Sequence, residues 1–312
     1  MTKHYSPIRL SIALFIGVMC TCSANAQDEK KPDKTLPPIE NLALETTDNV
    51  FLSAKYFPGT NGKDAVPIIM LHSLMKPTST GAAYYQLAAD IQKDMGHAVI
   101  VPDLRGHGKS TKQRHPMDFN SNITIDPVTF TKDNFKMVAA DIEACKVFLK
   151  KENNTGELNI EKLCVIASDA SAIAALEWAV YDWTVPSRGL IRNGKNVKAL
   201  ILLTPVNSHK GYSVQPALNH VVIKGQNKIP SPLSILVLAG KLSKHYSDSK
   251  RIFNQLTQFH PDKFENEKYR FENGWRFEHG LDTTKQGSAI FTVSNLNPTP
   301  RVLIGNFIRD RL

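Results

Sequence analysis

The stretch "LCVIASDASAIAALEWA", residues 163–179, decides how the rest of the chain is read. Leu163 to Ile166 is a continuous apolar run, suited to a strand buried on both faces. Five small or polar residues follow, Ala167-Ser168-Asp169-Ala170-Ser171, and then a helix rich in alanine and leucine. A strand that enters a helix through so short a turn lifts one side chain above the edge of a sheet. By spacing, that side chain belongs to Asp169.

Working outward, the same alternation of buried strands and helices recurs. "AVPIIMLHS" (65–73), "HAVIVPDLRGHGKST" (97–111), "NVKALILLTPV" (196–206) and "LSILVLAGK" (233–241) each contain an apolar run that ends in polar or glycine-bearing residues. Helices are predicted over Gly81–Met95, closed by Gly96, over 132–151, over Ser247–Phe259 and over the closing "RVLIGNFIRDRL". "LETTDNVFLSAKYFPGT" (44–60) predicts a hairpin turning at Asp48-Asn49, and "KYRFENGWRFEH" (268–279) another at Asn273-Gly274. Residues 112–130 are polar and read as irregular. The alternation predicts an α/β fold, a mostly parallel central sheet with helices on both faces. Little chain separates residues 206 and 233, so little or no cap domain is expected.

Four of these segments, taken in order, resemble the α/β-hydrolase superfamily over roughly residues 43–312. "IIMLHSLM" is similar to its strand ending in His-Gly, and "VIVPDLRGHGKS" to its Asp-x-Arg-Gly-x-Gly-x-Ser loop. "LCVIASDASAIAALEWA" stands where that superfamily places its nucleophile elbow, and "LSILVLAGK" where a strand leads to the catalytic acid. The resemblance implies a nucleophile at Asp169 and an oxyanion hole made by the backbone amides of Leu74 and Ala170. Family order then implies Asp248 as the first acid after the strand and His279 as the base. His72 and His107 fall in loop motifs and are expected to organise hydrogen bonds. Ser168 and Ser171 flank the apex and read as locally bonded turn and helix-start residues.

The chain also departs from the pattern. Aspartate replaces the serine of G-x-S-x-G, and Ser73 replaces a glycine. Aspartate is a covalent nucleophile in the resembling dehalogenases and epoxide hydrolases. Yet Leu74 and Ala170 offer none of the side-chain donors with which dehalogenases hold a halide. A small cap likewise leaves no place for the tyrosines that epoxide hydrolases use. Two readings stay open: hydrolysis of a small ester or related electrophile through Asp169, or a catalytically inactive member used for binding or structure.

The chain has 312 residues, 42% of them hydrophobic, enough for a large core. Residues 1–26 read as a signal peptide: Lys3 and Arg9, an apolar run over Leu10–Cys22, then small residues before cleavage near Ala26. That run is shorter than the roughly 20 residues a bilayer-spanning helix needs, so export without a stable membrane span is expected. Residues 27–40 read as a disordered leader and 41–312 as one domain. The net charge of +9, or +7 without Lys3 and Arg9, is scattered and carries no nucleic-acid signature. A small molecule is the expected partner. Cys145 and Cys164 read as core thiols, no spacing suggests a metal or cofactor, and Asn122 and Asn153 begin glycosylation sequons that matter only on a glycosylating route.

Overall fold

The strand that opens the key stretch is β7 (Leu163–Ser168), and its side chains divide between two cores. Leu163, Val165 and Ala167 join one apolar cluster, Cys164 and Ile166 the other. A strand with a period of two must divide in this way when both faces of its sheet are covered. The computed structural model describes residues 35–118, 120–187, 193–225, 231–258 and 276–312, with backbone alone for 276–279. One compact unit spans Leu36–Leu312.

Around β7 run the parallel strands β3 (Pro67–Leu71), β4 (Ala98–Pro102), β8 (Val197–Leu203), β11 (Ser234–Gly240) and β12 (Arg276–Leu281). The antiparallel hairpin β1 (Glu40–Glu45) and β2 (Val50–Phe57) turns at Asp48-Asn49 as expected, and Asn49 adopts φ 63° there. Strand order is β12-β11-β8-β7-β3-β4-β2-β5-β6, with β1 on β2. The region expected to be irregular contributes β5 (Lys112–Arg114) and β6 (Asn122–Thr124). These are three-residue, polar edge strands, too short and too exposed to leave an alternating apolar signature. Of the hairpin read at 268–279, the first strand and the turn lie outside the described residues.

Helix α1 (Tyr85–Met95) buries Leu87, Ala88 and Ile91 on one face of the sheet and stops at Gly96, whose φ of 66° permits the left-handed cap. On the same face, the last helix, α8 (Pro300–Arg311), adds Leu303, Ile304, Phe307 and Ile308. The other face is covered by α3 (Val138–Thr155) and α4 (Ser171–Thr184). The helix expected over 132–151 is divided. A short α2 (Lys132–Lys136) ends at Met137, whose amide is shared between the carbonyls of Asp133 and Phe135. Between β8 and β11 the described residues form a ribbon, β9 (Ser208–His209) with β10 (Tyr212–Ser213), and the short helices α5 (Gln215–Asn219) and α6 (Val221–Lys224). Among the described residues, no domain-sized cap stands there.

Two buried ion clusters tie helices to loops. Asp141 of α3 accepts the Arg105 amide and Nε at 2.9 Å and Nη2 at 2.7 Å, while Asp48 takes Nη1 at 2.7 Å. Asp182 of α4 accepts Lys146 Nζ at 2.6 Å and the amides of Asn196 and Val197. Every one of these buried oxygens is matched by a donor, the condition under which buried charge is tolerated. Cys145 and Cys164 are buried free thiols.

Candidate active site

Strand β3 sits at the point where the strand order reverses: β4 follows on one side, and β7, β8, β11 and β12 on the other. Loops leaving two such strands part company and open a crevice at their carboxyl ends, where open α/β sheets bind ligands. His72 to Met75 leave β3 there, and Asp169 leaves β7. Asp169 takes φ 50°, a left-handed conformation rare for a residue with a side chain. Its amide donates to the Leu203 carbonyl at 2.9 Å, and its carbonyl accepts from Ala172 at 3.2 Å as α4 begins. The turn is thus pinned to β8 on one side and to the helix on the other.

The Asp169 side chain is only 5% exposed. Burial raises its pKa from 3.8 to about 6, against the pull of a hydrogen bond from Ser73 and of the charges on His245 and Lys76. Oδ1 is buried without a hydrogen-bond partner among the described residues. On the other side stands Gly287, where a Cβ would lie 2.5 Å from Oδ2. Gly287 adopts φ 54° and donates its amide to Thr204 Oγ1 at 3.1 Å. Loops following β3, β7, β8 and β12 therefore meet around one carboxyl group.

The flanking serines are occupied. Ser171 Oγ accepts the Ser168 amide at 3.0 Å and lies 2.7 Å from the Ser168 carbonyl and 3.2 Å from that of Leu71. Ser168 Oγ lies 2.5 Å from the Tyr84 hydroxyl, and both residues are fully buried. Neither hydroxyl is presented to the crevice. Leu74 and Ala170 are buried, and neither amide donates to another described residue. His72 Nε2 accepts the Leu104 amide at 2.9 Å, so its proton sits on Nδ1 and points to the Ser73 carbonyl at 3.0 Å. Burial and the neighbouring His107 push His72 down to about 4. A neutral imidazole bonded at both nitrogens fixes the β3 loop and has no free lone pair for catalysis.

Asp248 lies in the first turn of α7 (Tyr246–Thr257). Its Oδ1 accepts Asn207 Nδ2 at 2.7 Å, and its Oδ2 is 3.4 Å from His245 Nδ1. His279 stands in β12 with its backbone opposite Leu238, and its side chain is outside the described residues. His245 has no motif around it, and sequence reasoning passed it over. The signal that could have found it is the three-residue spacing from His245 to Asp248, straddling a helix start just after β11. Buried, unpartnered side-chain atoms gather at the same end of the sheet. Of the six among the described residues, Asp169 Oδ1, His107 Nε2, Asn207 Oδ1 and Ser243 Oγ all belong to loops leaving strand carboxyl ends. Such orphans are uncommon in native interiors and mark places built for something other than packing. Among the described residues, no group of three His, Cys, Asp or Glu could hold a metal, and no helix is long and apolar enough to cross a membrane.

Comparison with known proteins agrees with this architecture. Residues 66–213 match the family model described as alpha/beta hydrolase fold. No curated protein matches the chain. Among solved structures, an esterase of Pyrococcus furiosus superposes with a TM-score of 0.56 at 14% identity, covering 87% of this chain and 90% of its own. A bacterial heroin esterase gives a TM-score of 0.58 at 10% identity over 87% of this chain and 83% of its own. At such identities the likeness is one of fold. Sheet order, motif order and the match over residues 66–213 together show that the chain adopts the α/β-hydrolase fold.

Proposed function

We propose that this chain hydrolyses a small ester or related electrophile, with Asp169 as the covalent nucleophile. One observation carries the reading: a carboxyl group held at a left-handed strand-to-helix apex beside the switch point, with one buried oxygen left unpartnered. The carboxylate attacks the electrophilic carbon, and the leaving group departs with the bonding electron pair. Water then adds to Cγ of the resulting intermediate, an anhydride from a carboxylic ester or an ester from an alkyl electrophile, and gives its proton to an imidazole, which passes it to the departing product oxygen. The amides of Leu74 and Ala170 are assigned to the oxyanion formed at this step, where one such donor is typically worth roughly 3–4 kcal/mol. Collapse releases the product and returns a carboxylate that carries one oxygen from water.

Heavy-oxygen water tests the cycle directly. With p-nitrophenyl esters and short haloalkanes as probes, label should enter the Asp169 peptide over many turnovers, and Asp169→Asn should abolish both label and turnover. Turnover that survives Asp169→Ala would remove the assignment. Because only the ionised form attacks, kcat/KM should fall with acidification through about pH 6, the value to which burial lifts the carboxyl.

The second reading, an inactive member kept for binding, draws on the low exposure of Asp169 and the approach of Gly287 to Oδ2. It expects no label with any probe. Export is a separate proposal, supported by the composition of residues 1–26; a mature N-terminus at Gln27 in the exported fraction is the expected result.

A further inference from the structure

We propose that His245, oriented by Asp248, is the base that activates water in this cycle. The inference rests on Asp169 as nucleophile and adds the partner that the order of residues in the chain does not reveal. Three observations converge on His245. It follows β11, whose carboxyl end lies two strands from β7, and it immediately precedes α7. Its Nδ1 faces Asp248 Oδ2 at 3.4 Å, and Asp248 is fixed in turn by Asn207 from the loop after β8. An imidazolium at this position would pull the Asp169 pKa down, so the ring stands within electrostatic reach of that carboxyl. Imidazole held by a carboxylate, with the carboxylate held by an amide, is the arrangement that fixes a tautomer and leaves Nε2 to take a proton.

His279 lies farther away. Across the sheet its backbone is level with Leu238, Leu203 and then Ser168, so three strand spacings separate it from β7. At 4.7–4.9 Å each, that puts the two backbones about 14 Å apart. Among the described residues, the side chains acting on Asp169 are Ser73 and Lys76 from the loop after β3 and His245 from the loop after β11. Of these only His245 is an imidazole, the side chain that most often serves as a general base. The orphaned Asn207 Oδ1 and Ser243 Oγ belong to the loops that flank His245 and supply acceptors and donors for a water held there.

The experiment is a pre-steady-state comparison of the wild type, His245→Gln and His279→Gln with p-nitrophenyl butyrate and 1-bromobutane. His245→Gln should form its covalent derivative on Asp169 and then stall. A mass increase should remain on that peptide while turnover falls at least 100-fold. Asp248→Asn, which alters a positioning residue, should lower kcat about tenfold with KM little changed, and Asp248→Glu should recover part of the loss. Wild-type labelling with normal turnover by His245→Gln overturns this inference alone, as does stalling by His279→Gln instead. Absence of label in the wild type overturns the nucleophile and the base together. The electrostatic reach is read without substrate: in His245→Gln, the Asp169 carboxyl resonance should titrate at higher pH than in the wild type, and an unmoved midpoint overturns the placement.

Discussion

Asp141 and Asp169 are both buried carboxyl groups, and the protein treats them in opposite ways. Asp141 lies within a helix and receives Arg105 through three nitrogen atoms, so both of its oxygens are matched. Asp169 sits on left-handed backbone with Oδ1 unmatched, and no cation is hydrogen-bonded to it among the described residues. A buried acid that only stabilised the fold would resemble the first. Native interiors leave few polar atoms unmet, and an orphaned acid on strained backbone is the observation on which the proposed reactivity of Asp169 rests.

Stability measurements test this difference. Asp141→Ala should cost about 3–5 kcal/mol in urea-induced unfolding, because it leaves the Arg105 guanidinium buried with only Asp48. Asp169→Asn should move the other way. The folded state holds its carboxyl proton up to about pH 6, whereas the unfolded chain releases it near 3.8. In that window the native state binds more protons, so wild-type stability falls as pH rises from 4 to 6. A side chain that never ionises lacks this fall. Above pH 6, Asp169→Asn should therefore be more stable than the wild type by up to about 3 kcal/mol, and equal to it near pH 4. A loss of stability on this substitution at neutral pH would place Asp169 with Asp141 as a structural acid.

Much of the fold was legible because parallel strands buried on both faces leave continuous apolar runs: β3, β4, β7, β8 and β11 all fall where those runs stand. The hairpin at Asp48-Asn49 was legible from turn chemistry. Strands β5 and β6 were not, since three polar residues at an edge carry no periodicity. At the site, the apex was legible from local spacing alone, and so was the local bonding of Ser171; the Ser168 hydroxyl was not, since it meets Tyr84, 84 positions earlier, instead of a neighbour. His245 was not. Its meaning depends on Asn207, 38 positions away, holding Asp248, and on a sheet order that brings β11 near β7. Nor does the sequence near Gly287 announce that it packs against a carboxyl group more than a hundred residues earlier.

The smallest expected effect sharpens the comparison through backbone alone. At Asp169, φ 50° favours glycine over alanine, since a Cβ in the left-handed region costs roughly 1–2 kcal/mol and glycine's greater unfolded freedom offsets only part of that. Asp169→Gly should therefore be more stable than Asp169→Ala by about 1 kcal/mol. At Asp141, inside regular helix α3, the order should reverse, with Asp141→Gly below Asp141→Ala by about 1 kcal/mol. Both pairs remove the same carboxylate at each position, so the charge contribution cancels within a pair and only the conformation of the chain is compared. Matched unfolding curves in urea read the two signs. Opposite signs mean that the apex is held in strain by the loops around it; equal signs would mean that the turn relaxes once its side chain is gone, and that the carboxyl group itself maintains the bend.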